Sequence, residues 1–200
     1  MKDIVKSLLL QNPGAASLAL FAREILVNPR AMGAACPSAP LLASSMAVRV
    51  PLDRDGMVVE LGGGTGAVTT ALLKHGVPAW KLVVVERSPT LARHLRQRFP
   101  QLRILQGDAA HLTQLLGDDD AARRVDSIVS SLPLRSLHPA TTRAIGHQFE
   151  ALLEPGGLLI QYTYDLRGTH PRLLPRFRRL SSKIVWGNLP PARVEMFERK

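Results

Sequence analysis

The sequence has little of several things. Cysteine occurs once in 200 residues, at Cys36, so no disulfide can form within the chain, which fits a reducing compartment. Cys36 has no evident base or metal partner, and no Cys/His cluster has metal-site spacing, so no metal is expected. No apolar run approaches the roughly 20 residues that cross a bilayer as a helix, and any membrane contact is expected to be peripheral. No basic start leads into an unbroken apolar stretch and a cleavage site, so a secretory signal is not expected either. Acidic residues are the scarce charge: 16 Asp plus Glu stand against 26 Lys plus Arg, a net charge of +10. From Asp165 onward nine basic residues face three acidic ones, and Arg172, Arg176, Arg178 and Arg179 fall within eight residues. Such a surface suits a polyanion, either nucleic acid or an anionic lipid layer.

What is present fits one α/β domain of ordinary composition, 46% hydrophobic and 21% charged. Residues 1–50 read as a helical extension. Ile4, Val5, Leu8 and Leu9 share one helical stripe, and Leu18, Phe21, Ala22 and Ile25 share another. Both suit a membrane-surface helix or a lid packed on the domain. A third helix is expected from Pro40 to about Val48. Residues 51–200 then alternate. Strands are expected at Met57–Leu61, Lys81–Glu86, Leu102–Gln106, Val125–Ser130 and Leu158–Tyr164, and helices at Ala67–Lys74, Pro89–Arg98 and Pro139–Leu153. Glu154-Pro155-Gly156-Gly157 should stop the last helix. This rhythm implies a mostly parallel sheet. Ser182–Trp186 and Arg193–Phe197 are linked too closely for a parallel crossover and should pair antiparallel.

The strongest local signal is Glu60-Leu61-Gly62-Gly63-Gly64-Thr65-Gly66, where a strand enters a glycine-rich turn that opens a helix. Glycines let the backbone turn sharply and approach a ligand, and the helix start offers free N–H groups. Gly62, Gly64 and Ala67 also fit the relaxed dinucleotide pattern. Glu60 favours a different ligand, because a carboxylate at the strand end suits an ammonium and a sulfonium and repels a pyrophosphate. Glu86, twenty residues past Gly66, can accept hydrogen bonds from ribose hydroxyls. Asp108, in Gln106-Gly107-Asp108-Ala109, follows the third strand. Three acids after three successive strands point to S-adenosylmethionine as cofactor.

The motif Glu60–Gly66 resembles the first motif of class I S-adenosylmethionine-dependent methyltransferases. That resemblance implies a Rossmann-like seven-stranded sheet with an antiparallel C-terminal strand, and S-adenosylhomocysteine as product. The residues then expected around the cofactor are Glu60, Gly62, Gly63, Gly64, Thr65, Gly66, Glu86, Arg87, Asp108, Ala109, Ser130 and Ser38. Asp108 would face the adenine amine, and Ser38 the methionine end.

Ser130-Ser131-Leu132-Pro133-Leu134 stands where ribosomal RNA adenine dimethyltransferases carry Asn-Leu-Pro-Tyr. Ser131 replaces the Asn and Leu134 the Tyr, and a leucine cannot stack on a base. Other segments resemble bacterial phospholipid N-methyltransferases: Phe21-Ala22-Arg23, Asn28–Ala34, Pro37-Ser38, Gln161-Tyr162-Thr163-Tyr164 and Asn188–Ala192. This resemblance implies stepwise methylation of phosphatidylethanolamine towards phosphatidylcholine, on the inner face of the cell membrane, by a cytoplasmic, peripherally bound enzyme. Tyr162 and Tyr164 share a strand face and could hold methylammonium products by cation–π contact. With Ser131 they are the expected substrate-site residues. His111 and His138 are conceivable proton acceptors. An RNA adenine methyltransferase and a small-molecule amine methyltransferase remain alternatives.

Overall fold

The computed structural model describes residues 40–121, 124–167, 174–188 and 190–200. The two amphipathic stretches before Pro40, with Cys36 and Ser38, lie outside the described residues, as does Arg172.

Seven strands form one sheet in the order β3-β2-β1-β4-β5-β7-β6. They are β1 (Met57–Leu61), β2 (Leu82–Glu86), β3 (Arg103–Gln106), β4 (Val125–Ser130), β5 (Leu153–Thr163), β6 (Phe177–Val185) and β7 (Ala192–Arg199). The first five pair in parallel. β7 alone runs against its neighbours, antiparallel to both β5 and β6. The central strands β1, β2 and β4 are buried along their whole length. Their Val-rich runs do not alternate with polar residues because helices cover both sheet faces.

On one face Leu42 and Met46 of α1 (Pro40–Ala47), Leu72 of α2 (Ala67–His75) and Leu95 of α3 (Pro89–Arg98) pack on Val58, Val84, Val129 and Ile160. On the other, Leu112 and Leu116 of α4 (Leu112–Ala121) and Ile145 and Phe149 of α5 (Pro139–Leu152) pack on Val59, Leu61, Val85, Ile128 and Leu159. Pro89 and Pro139 each occupy the first turn of a helix, where a missing N–H costs nothing. Ser88 caps α3, accepting the Leu91 N–H at 3.4 Å.

Three elements differ from the sequence expectation. α4 is absent from it because Gly117 (φ 71°, ψ 176°) breaks the helical path and interrupts the apolar spacing. β5 begins at Leu153, but its pairing with β4 jumps from Val125–Leu153 to Ser127–Leu158. Glu154–Gly157 thus bulge out of the ladder, as their turn chemistry demands. β6 starts five residues early, because after the buried Phe177 the exposed Arg178–Ser181 line an outer edge that needs no apolar alternation.

Candidate active site

The parallel strands end on one edge of the sheet, and the crevice there opens where strand order reverses between β1 and β4. Every polar group of the candidate site descends from a strand end at this edge.

β1 delivers Glu60, which is fully buried (0% exposed). Neither carboxylate oxygen makes a hydrogen bond of normal geometry among the described residues. Burial pushes its pKa up to about 8; Thr69 beneath the loop lowers it somewhat and the Glu86 charge adds to the rise. A carboxylate held this way, with no cation against it, is a socket for a positively charged group. The chain then turns through Gly62, Gly63, Gly64, Thr65 and Gly66. Gly64 has φ +55°, and a Cβ there would meet only the Gly62 carbonyl oxygen, at 3.9 Å, so the loop surface above it is bare backbone. Gly66 has φ +83°, and a Cβ would lie 2.5 Å from the Phe99 ring. Only glycine lets α2 begin at that point.

β2 delivers Glu86, which ties the loop to the next helix. Its Oε2 accepts the Gly64 N–H and its Oε1 the Ser88 N–H, both at 2.8 Å. A carboxylate with two oxygens at a strand end is the kind of acceptor that a pair of ribose hydroxyls requires. β3 delivers Asp108. Its Oδ1 accepts the Ala110 N–H at 2.9 Å, and its Oδ2 lies 3.7 Å from Arg87 Nε. Ala109 is buried beside it.

β4 ends in Ser130 and Ser131. The Ser131 N–H donates to Leu61 O at 2.8 Å, stitching the two strand ends together. Ser130 is in register with Leu61 and Gln161, and its hydroxyl accepts the Leu132 N–H at 3.4 Å. The buried Ser131 hydroxyl makes no hydrogen bond among the described residues. Tyr162 and Tyr164 meet edge to face with ring centroids 5.5 Å apart; Tyr162 belongs to the core and Tyr164 packs against it.

No sequence pattern gives Gln161 a role of its own, although it opens the Gln161–Tyr164 segment. It is buried, and its Nε2 donates to Leu132 O at 2.8 Å and to Tyr162 O at 2.7 Å. A polar residue inside an apolar strand is the available signal. The two histidines named as conceivable proton acceptors are placed differently. His138 caps α5 by accepting the Ala140 N–H, and His111 is exposed at the end of a 3-10 turn. Among the described residues no group of three or more His, Cys, Asp or Glu is placed to hold a metal.

Residues 59–159 match the family described as a methyltransferase domain. The chain belongs to the class I S-adenosylmethionine-dependent methyltransferases. Among relatives of this methyltransferase is the ornithine lipid N-methyltransferase of Singulisphaera acidiphila, 31% identical over 86% of the chain and 91% of the relative. A probable ribosomal RNA small subunit methyltransferase A of Methanococcoides burtonii is 29% identical over 68% of the chain, which spans only 46% of that protein. Among solved structures, the N-methyltransferase NodS of Bradyrhizobium japonicum, crystallised with S-adenosyl-L-homocysteine, superposes with TM-score 0.67 at 16% identity over 92% of the chain and 98% of NodS. That likeness is one of fold.

The cofactor fits the residues present. The Glu60 carboxylate, with no cation against it, matches its cationic methionine end, the bare backbone at Gly64 leaves room for it, and Glu86 and Asp108 stand at successive strand ends for hydrogen-bonding groups. No helix among the described residues is long and apolar enough to cross a membrane.

Proposed function

We propose that this methyltransferase methylates the amine of a membrane phospholipid, converting phosphatidylethanolamine stepwise towards phosphatidylcholine while bound peripherally to the inner face of the cell membrane. The observation that carries this reading is the relative of lipid specificity that matches nearly end to end, where the RNA methyltransferase match spans under half of that protein. Leu134 supports it. The residue is 6% exposed and packs in the α4/α5 core, and Thr142 Oγ1 donates to its carbonyl at 2.8 Å. Position 134 thus offers no ring and no open face on which a base could stack. Ornithine lipid is a second headgroup, favoured by the Singulisphaera relative. Residues 51–200 would form the catalytic domain. Residues 1–50 would contact the membrane or close over the site.

When bound, S-adenosylmethionine supplies a methyl group on a sulfonium, open to displacement by an amine lone pair. The chain's residues would hold and prepare the two partners. Glu60 fixes the cationic end of the cofactor, Glu86 the ribose, and Asp108, with Arg87 and Ala109 beside it, the adenine. The substrate amine must arrive neutral, and the apolar surroundings of Tyr162 and Leu132 disfavour its protonated form. Ser131 Oγ accepts one amine hydrogen and directs the lone pair, and this orientation supplies much of the acceleration. That lone pair would take the methyl from the sulfonium, leaving a neutral thioether, and the surplus proton of the product ammonium would pass to solvent. The face of Tyr164 holds methylated ammonium between rounds, and Tyr162, 5% exposed in the core, braces that ring from behind.

The test is transfer of labelled methyl to vesicles of phosphatidylethanolamine with phosphatidylglycerol, with ornithine lipid vesicles and ribosomal RNA in parallel. Label in mono-, di- or trimethylated phosphatidylethanolamine supports the reading. Label in ornithine lipid alone moves the substrate to the second headgroup. Label in RNA alone overturns both.

A further inference from the structure

Two tryptophans stand fully in view at opposite edges of the sheet. Trp80 (70% exposed) lies just before β2, at the edge where the parallel strands begin. Trp186 (69% exposed) follows β6. Because β7 reverses direction, the β6–β7 turn sits on the edge where β1, β4 and β5 end, the edge that also carries the cofactor loop.

That turn is held firmly. Asn188 is buried, its N–H donates to Val185 O at 3.3 Å and its Nδ2 to Pro190 O at 2.7 Å. Gly187 packs so tightly on α1 that a Cβ there would fall 2.6 Å from Leu41 Cδ1. Leu41 is itself 60% exposed. The fold therefore brings two large apolar residues to the same turn, and both leave most of their surface exposed among the described residues.

The surrounding charge is mainly positive. Lys183 is exposed on β6. Arg193 reaches from β7 to the Ser182 hydroxyl and to Leu166 O in the loop after β5. Arg135 and Arg167 flank Asp165 in that same region. One carboxylate thus faces four basic side chains, a pattern that attracts anionic headgroups. An indole with an apolar body and a polar N–H settles at the headgroup level of a bilayer.

We propose that the β6–β7 turn docks this chain on an anionic phospholipid bilayer. Trp186 and Leu41 enter the boundary between headgroups and acyl chains, Lys183, Arg167 and Arg193 lie over lipid phosphates, and the cofactor edge of the sheet faces the membrane. The proposal deepens the lipid reading and rests on it for its purpose.

Trp80 supplies an internal control. The full chain is prepared as W80F, leaving Trp186 as reporter, and as W186F, leaving Trp80. Each is mixed with vesicles of phosphatidylglycerol and phosphatidylcholine whose acyl chains are plain or brominated, and sedimentation is followed in parallel. The W80F chain should shift its emission to the blue and be quenched by brominated lipid, and the W186F chain should do neither. Leu41→Glu and Trp186→Ala should each weaken vesicle binding about tenfold, the scale expected for losing part of one large apolar contact, with the circular dichroism unchanged. Quenching of Trp80, or sedimentation while Trp186 stays unquenched, overturns the proposal; the second outcome assigns docking to residues before Pro40 or to another face. Failure to sediment with anionic vesicles also overturns it. Because none of these readouts is turnover, the two readings fail separately. Quenched Trp186 without lipid methylation removes the substrate assignment alone, and lipid methylation with unquenched Trp186 removes the docking assignment alone.

Discussion

Gln161 of β5 donates from its side-chain amide to the carbonyl of Leu132 in the loop after β4, at 2.8 Å. The bond crosses between neighbouring strand ends and sets the height of the loop that carries Ser131. Gln161→Met preserves the volume and leaves that carbonyl with the Leu134 N–H, at 2.9 Å, as its remaining donor. The expected cost is about 0.5–1.5 kcal/mol of stability, the net worth of one hydrogen bond. Turnover should fall at least tenfold while cofactor affinity stays within about twofold, because the loop and not the Gly62–Gly66 turn has moved. Calorimetric unfolding and cofactor titration check both parts.

Glu60 makes the ligand-free chain sensitive to pH. Its folded pKa, raised from 4.5 to about 8, lies above its unfolded value. Between those limits the folded state keeps a proton that the unfolded state has lost, so stability falls as pH rises through the window and levels off above it. A tenfold difference in proton affinity between the two states is worth about 1.4 kcal/mol, so Glu60→Gln should unfold at a higher temperature than the parent near pH 8 and match it near pH 4. The same variant should lose cofactor binding. In the parent, binding should release a proton below pH 8, seen as a buffer-dependent heat in titration calorimetry, and affinity should rise towards that pH.

Glu86 carries two duties that one substitution separates. Glu86→Gln retains one acceptor oxygen and can keep only one of the Gly64 and Ser88 amide bonds. Cofactor affinity should fall tenfold or more, at roughly 1.5–3 kcal/mol for a hydrogen bond to a charged group. Equilibrium dialysis measures it; unchanged affinity would remove Glu86 from the site.

Leu134→Tyr restores the ring present in the RNA enzymes without restoring their function. The position packs against the α4/α5 core, so the larger side chain should cost about 1–3 kcal/mol through overpacking. Thermal unfolding reads the cost, and filter binding should show no gain in RNA affinity.

Tyr164 should act through its ring and not its hydroxyl. Tyr164→Phe is expected to keep the turnover of singly methylated lipid. Tyr164→Ala should raise its KM about fivefold, the equivalent of roughly 1 kcal/mol of cation–π contact. Equal kinetics for the two variants would end the assignment.

The central strands and the cofactor turn are readable in the chain because one local pattern dictates each. Val83-Val84-Val85 can only be a buried strand, and a carboxylate followed by closely spaced glycines leaves little besides a ligand-binding turn. The peripheral elements are harder to read. α4 is masked by Gly117, and β6 by the arginines that an edge strand tolerates. Gln161 escapes notice because its partner, Leu132, lies 29 positions away in sequence, and no local rule couples them. Ser131 and Tyr164 stand out only by likeness to known motifs, since a lone serine or tyrosine announces nothing by spacing. Alternation alone puts Trp186 in a strand; the structure moves it into the turn, and only the reversal of β7 shows which edge it occupies.

The strand order has a temporal consequence. Glu60, the glycine turn, Glu86 and Asp108 all belong to the stretch that builds β1, β2 and β3, and those strands pair within it before β4 is needed. The substrate loops wait for β4 and β5, and the sheet is complete only when its last strand, β7, slides between β5 and β6. During synthesis from the N-terminus, the acids and glycines proposed to hold the cofactor thus leave the ribosome before the segments proposed to meet the substrate. A ligand that binds the folded form stabilises it by mass action, so cofactor held by the early strands would steady the later ones too, through the core that both share.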